Sequence, residues 1–128
     1  MRILFDTHAL IWFLEDSSRL PQNVRSVLLD PGSELFFSPV SILEISIKHA
    51  LKPDLMPCTP DEVSMDAEAS NIRELVFSSI HAQKVGALPW LHRDPFDRML
   101  VAQAMSEDIK LLSHDDQVVR YGDFVMGF

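Results

Sequence analysis

Cysteine is almost absent from this chain of 128: Cys58 stands alone, so no disulfide can close within it, and no Cys/His cluster has the spacing of a zinc site. A structural zinc is excluded and a reducing compartment, the cytoplasm, is the expected setting. Long apolar runs are missing too. The longest, Ala9 to Leu14, is far short of the roughly 20 residues of a membrane span, and the N-terminal MRILFD meets an acid at its sixth position. Neither a membrane helix nor a signal peptide is expected. Positive charge is also in short supply: 11 basic against 19 acidic side chains leave a net charge of −8 and a pI near 4.9. That balance excludes a domain that holds nucleic acid mainly through a broad basic face. There is no internal repeat, low-complexity tract or linker, and no spacing suggestive of a Ser-His-Asp or Cys-His nucleophile.

Apolar material, by contrast, is plentiful. Hydrophobic residues make up 47% of the chain and include eight Phe and two Trp. At this length one domain spanning residues 1–128 is expected, burying about two thirds of the unfolded chain's surface. Arg2 to Phe5 reads as a strand that feeds a helix through Asp6-Thr7. A helix over Pro21 to Leu29, the Pro31-Gly32 turn and a strand over Glu34 to Phe37 follow. Ser38-Pro39 then opens a third helix, Ser as N-cap and Pro at the first helical position. Lys52 to Pro60, with three prolines, is an irregular connection. Beyond it the pattern predicts a helix over Pro60 to Glu74, a strand over Leu75 to Phe77, a helix over Ser79 to Leu88 and another from Asp94-Pro95 to Glu107. Strands over Ile109 to Leu112 and Phe124 to Met126 complete the series. Alternating strands and helices imply an α/β fold, a mostly parallel sheet of four to five strands covered on both faces, with sites at the carboxyl ends of the strands.

The acids fall where such a sheet would build a site. Asp6 ends the first strand; it is a natural N-cap, but Thr7 is an equally good one, which would leave Asp6 free. On its helix Glu44, Ile47 and Leu51 all lie within roughly 40° of Val40, which puts the carboxylate on an apolar stripe. A capping box with Ser41 would leave it too far from a helix start at Ser38, and a surface pair with Lys48 belongs on a polar face. A carboxylate on a core face is costly unless a cation or proton compensates it. In HRDPFDRMLVAQA, Asp97 falls among Leu100, Val101 and Ala104, and Asp94 projects to the same side as a cap; both also suit the positive end of the helix dipole. Asp115 and Asp116 follow a late strand, where a solvated loop pair is the plain alternative. In a parallel sheet all these positions converge on one edge. Several converging carboxylates need cations to stay ionised, and an all-oxygen set suits Mg²⁺ or Mn²⁺, which binds phosphate and activates water.

The segments FDTHALIW, SPVSILEISIK, HRDPFDRMLVAQA and LLSHDD, in this order and at this spacing, resemble a PIN domain, specifically the VapC-like toxins of toxin-antitoxin pairs and their HRDPFDR subgroup. The resemblance implies a parallel sheet with helices on both faces and a Mg²⁺- or Mn²⁺-dependent endoribonuclease whose products carry a 5′-phosphate and a 3′-hydroxyl. It also implies a small antitoxin that wraps grooves of the toxin. By position it makes Asp6, Glu44 and Asp97 the metal ligands, and Asp115 the acid of a Thr-x-Asp motif in which Ser113 stands for Thr. Asp94 matches a further acid of the subgroup, and Thr7 a small hydroxyl that would orient a water. Arg93, Arg98 and His92 lie near this site in sequence and would hold RNA backbone, unless they pair with neighbouring acids. His8 and His114 flank the proposed ligands and read as structural or exposed.

Two other classes place an Asp after the first strand of such a sheet. Haloacid-dehalogenase-type phosphatases need a second Asp two residues on, where this chain has His8. Receiver domains need a Lys after a late strand, where Ser113-His114 stand. A non-catalytic interaction protein on the same fold is opposed by the intact acids. Trp12, Phe13 and Leu14 make the first helix apolar nearly all round, for core packing or, where exposed, for a helix from an antitoxin or from a second copy in a homodimer.

Overall fold

The computed structural model describes residues 1–128 and shows five strands and seven helices, in the order β1 (Arg2–Phe5), α1 (Thr7–Leu14), α2 (Gln22–Leu29), β2 (Glu34–Phe37), α3 (Pro39–Leu51), α4 (Pro60–Ala69), β3 (Arg73–Glu74), α5 (Ser79–Ala87), α6 (Pro95–Glu107), β4 (Lys110–Ser113), α7 (Asp116–Val119) and β5 (Val125–Gly127). The sheet runs β3-β2-β1-β4-β5 and every pairing is parallel. An α/β fold with a parallel sheet is borne out, with five strands.

The pleat of β1 explains the two layers. Ile3 and Phe5 point to one face and pack with Ala9, Leu10, Val24, Leu28, Ile45 and Val63 of α1 to α4. Leu4 points to the other face and joins Val40, Leu88, Leu100, Val101 and Val118 under α5, α6 and α7. Strands buried on both faces must be apolar throughout, as ILF in β1 and LL in β4 are. Each such fully buried Leu contributes about 1.5–3 kcal/mol by leaving water.

Helix starts follow their caps. The Ser38 side chain accepts from the Val40 N–H with Pro39 opening α3, and Thr59 forms a capping box with Glu62 ahead of α4. The expected helix from Pro60 to Glu74 stops at Ala69: Asn71 takes a left-handed φ of 59° and the Ile72 N–H turns back to the Ala67 carbonyl. The third strand accordingly falls on Arg73–Glu74, paired with Phe36 and Phe37, two residues before the expected Leu75–Phe77. The last two strands lie one residue later than expected, and the short α7 was not foreseen.

Candidate active site

The hydrogen-bond ladder between β1 and β4 extends past Phe5, where the Asp6 N–H donates to the Leu112 carbonyl at 2.9 Å. This register sets Asp6 beside the end of β4 and its Ser113. Asp6 is itself the N-cap of α1: its Oδ1 accepts from the Ala9 N–H at 2.8 Å. Thr7 therefore does not take the cap, contrary to expectation. As the first helical residue it turns its hydroxyl inward, donating to Glu44 Oε1 at 2.6 Å and lying 3.0 Å from Ser41 Oγ. Capping did not remove Asp6 from the site, because a carboxylate has a second oxygen. Burial raises the Asp6 pKa above its ordinary value, and the Glu44 charge adds to this, while the Ser113 hydroxyl, the Ala9 amide and His8 partly offset it.

Glu44 is buried, but the stripe expected around it is not the buried one. Val40, Ser41, Glu44 and Ile45 face inward, whereas Ile47 and Leu51 are exposed. The helix rolls so that its first turns enter the sheet edge and its last two turns reach solvent. The pair with Lys48 also forms, joining Glu44 Oε2 to Nζ, although the carboxylate is buried. Lys48 bridges the two environments with a half-exposed stem. Burial works against its ammonium, yet Glu44, Asp94 and Asp97 outweigh that and raise its pKa.

Asp94 caps α6, its Oδ1 accepting from the Phe96 and Asp97 N–H groups at 2.9 and 3.2 Å. Asp97, half-buried in the first turn, has its pKa pushed up to about 7. Burial is the main cause, Asp94 the next, and Asp6 and Glu44 add to it against a hydrogen bond from His92. Asp115 caps α7 through Oδ1, which accepts from the Gln117 N–H, and its own N–H donates to Ser113 Oγ. Its Oδ2 is turned toward His92. Asp116 is exposed and takes no part in this group.

His92 joins the late acids. Its Nε2 lies 2.8 Å from Asp97 Oδ2 and 3.1 Å from Asp115 Oδ2, and its Nδ1 accepts the Arg93 N–H, so the Nε2 proton is the one shared between the carboxylates. Pairing with acids, the plain reading of His92, is thus observed, and it brings together three side chains of metal-ligand type. The bridge was not legible in advance, since it depends on where the loop before α6 meets the end of β4.

Arg98 departs fully from expectation. It is buried and turned away from the acids, donating to the Pro89 and Val85 carbonyls and the Tyr121 hydroxyl at 2.9–3.0 Å, with its guanidinium 4.0 Å over Trp90. One position along a helix is about 100°, enough to send Asp97 to the cleft and Arg98 to the opposite side. Arg93 is exposed and its side chain makes no hydrogen bond or ion pair.

Asp6, Asp97 and Asp115 open together into a cleft of about 690 Å³ whose other walls are His8, Trp12, Arg19 and His114. Glu44 lies behind Thr7. The structure thus brings acids from the ends of β1 and β4 and from the starts of α3 and α6 to one edge. Chemically, a crowded set of carboxylates with one imidazole offers the donor types that suit a hard divalent cation.

A PIN domain family model matches residues 3–123. Among solved structures the chain is similar to one from VapBC2 of Rickettsia felis bound to a promoter DNA fragment, with TM-score 0.69 and 12% identity over 100% of this chain and 98% of that one. VapBC-1 of nontypeable Haemophilus influenzae gives 0.66 and 14% over 100% and 97%, and DNA-bound VapBC of Salmonella typhimurium 0.66 and 16% over 100% and 97%. No curated protein matches the sequence. At these identities the likeness is one of fold.

Proposed function

Because the chain belongs to the PIN domain family, we propose that it is a Mg²⁺- or Mn²⁺-dependent endoribonuclease and the toxin of a VapBC-type toxin-antitoxin pair. The observation that carries this reading is the meeting of Asp6, Asp97 and Asp115 in one open cleft, with Glu44 behind them and Asp97 pushed up to about 7. Burial and mutual repulsion of these carboxylates favour a cation: the donors are oxygens with one imidazole, and the compensation present is limited to His92 and Lys48.

Asp6, Glu44, Asp97 and Asp115 would hold the ion. When bound, it supplies Lewis acidity, easing the deprotonation of water and offsetting charge that develops on the phosphate. Thr7, itself in contact with Ser41, fixes the Glu44 carboxylate, and Ser113 steadies Asp6 and the Asp115 backbone. Asp94 sets the start of α6 and adds negative potential. Arg98, through Pro89 and Val85, holds the loop that carries His92 and so acts as a positioning residue. Arg93, exposed and unpaired, is available to an RNA phosphate.

An antitoxin has a place to bind: Leu43, Ile47, Leu51 and Leu55 are exposed on and just beyond α3, and Leu51, Leu55 and Met56 line a groove with Lys48. No helix of the chain is long and apolar enough to cross a membrane. The test is incubation of purified chain with RNA and Mg²⁺ or Mn²⁺, beside Asp6→Asn, Glu44→Gln and Asp97→Asn. Fragments with 5′-phosphates, lost on chelation and in the variants, are expected. A wild type that leaves RNA intact, or cleavage undiminished in all three variants, would sink the proposal.

A further inference from the structure

The cleft has a second end that the acids do not explain. Trp12 lies at i+4 from His8 on α1, so both share one face of the helix, about 9 Å along the axis from the Asp6 cap. Around the indole stand His8, His114 and Phe128, with ring centroids at 5.9, 5.3 and 6.0 Å. The His114 Nδ1 donates to the Phe128 carbonyl at 2.7 Å, which braces this wall. Arg19 stands with its guanidinium 5.7 Å from the indole centroid. It is exposed and forms no ion pair, although the chain has a net charge of −8 and three carboxylates line the same cleft.

An aromatic wall and a free guanidinium beside an acid cluster make a two-part surface. Unpaired bases stack on aromatic rings and on guanidinium planes, and this recognition tolerates sequence because every base has a π-face. Arg19 rests at the long end of a cation–π contact with the indole and has no ion pair to lose, so it is free to swing over an inserted base. We propose that Trp12, with Arg19 and His114, forms a stacking subsite for the unpaired base of the nucleotide next to the phosphate held at the acids. The inference rests on the nuclease reading for its choice of RNA. It requires the strand at the cut to be single-stranded, with its base turned out, because a base within a duplex has no free face to offer.

Trp12 and Trp90 are the only tryptophans, so the double variant Trp90→Phe, Asp97→Asn leaves Trp12 as the sole reporter and disables the acid end. At low ionic strength in Mg²⁺, a short single-stranded oligoribonucleotide should quench Trp12 fluorescence saturably, and the same strand built of abasic ribose phosphates should not. In the same background Trp12→Ala should weaken binding, followed by the anisotropy of labelled RNA, by about 5- to 150-fold. Arg19→Ala, at an exposed position, should weaken it without affecting folding, and Trp12→Phe should retain most of it should the alanine variant fail to fold. Absence of RNA binding, a Trp12 signal unmoved at saturation, or equal quenching by the abasic strand overturns the subsite. Cleavage by wild type together with a silent Trp12 would reject the subsite alone, whereas base-dependent quenching without any metal-dependent cleavage would reject the nuclease reading alone.

Discussion

Asp97 and Arg98 are neighbours on α6, and the regions they face treat charge in opposite ways. Arg98 enters a closed pocket where two carbonyls, a hydroxyl and an indole face meet its donors and its plane. Asp97 faces a cleft already occupied by Asp6 and Asp115, with Asp94 beside it, and has one imidazole to share. The first arrangement is complete without any ligand. The second is costly as it stands and becomes favourable when something positive arrives. Burial and charge alone do not mark a functional residue; the lack of a matching partner within the chain does.

The contrast can be broken most sharply through activity. Asp97→Asn should reduce metal-dependent RNA cleavage by about a thousandfold or more while the fold is retained, since the ion's several kcal/mol of charge stabilisation depend on its ligands. Circular dichroism beside a cleavage time course checks both halves, and an unfolded variant would erase the distinction drawn between the two residues. Next in size, Arg98→Ala should lower the free energy of unfolding by roughly 3 kcal/mol, because it removes the three hydrogen bonds that tie the Val85 and Pro89 carbonyls and the Tyr121 hydroxyl to one buried group and opens a void beneath Trp90. Urea denaturation measures this.

A smaller effect has the opposite sign. The folded chain keeps the Asp97 proton up to about pH 7, whereas the unfolded chain releases it near 3.8, so between these values the folded state binds more protons and stability must fall as pH rises. Above about pH 7 the cost is fully present. In the absence of divalent ions Asp97→Asn should therefore stabilise the chain by about 2 kcal/mol at pH 8 and have no such effect below pH 4. Chemical denaturation across that range reads it, and a variant less stable at pH 8 would show Asp97 to be satisfied after all. Mg²⁺ or Mn²⁺ should raise the wild-type melting temperature more at pH 8 than at pH 5 and lose most of that effect in the variant. The smallest change sets the baseline: Glu34→Gln breaks an exposed pair with Arg73 far from either region and should cost less than about 1 kcal/mol by denaturant titration.

Much of the fold was legible because local rules and tertiary packing agree. Ser38-Pro39 and Asp94-Pro95 open helices as their chemistry dictates, and the apolar ILF and LL segments are strands because both their faces are covered. Where local pattern misled, a backbone event intervened. Asn71 in the left-handed region ended α4 five residues early and turned Arg73–Glu74 into a sheet edge, and neither periodicity nor composition marks that choice. The candidate acids were legible for a related reason: Asp6, Asp94 and Asp115 are caps, and caps lie at element ends, which in a parallel sheet gather on one side. Capping does not exclude a further role, because a carboxylate that caps through one oxygen keeps a second.

The amino-acid sequence by itself determined the alternation of strands and helices, the burial of both sheet faces and the placing of acids at strand and helix ends, since all of these follow from side-chain chemistry read over a few residues. Tertiary structure alone decided which charges are matched. Local sequence puts Arg98 at the acid edge, yet its carbonyl partners, 9 and 13 residues earlier, enclose it away from the acids, and His92 meets Asp115 only because α6 lies against β4. Trp12 faces the cleft on the same terms, its neighbours His114 and Phe128 arriving from the far end of the chain. Whether a charge is satisfied depends on atoms within a few ångströms, and folding draws those atoms from anywhere in the chain.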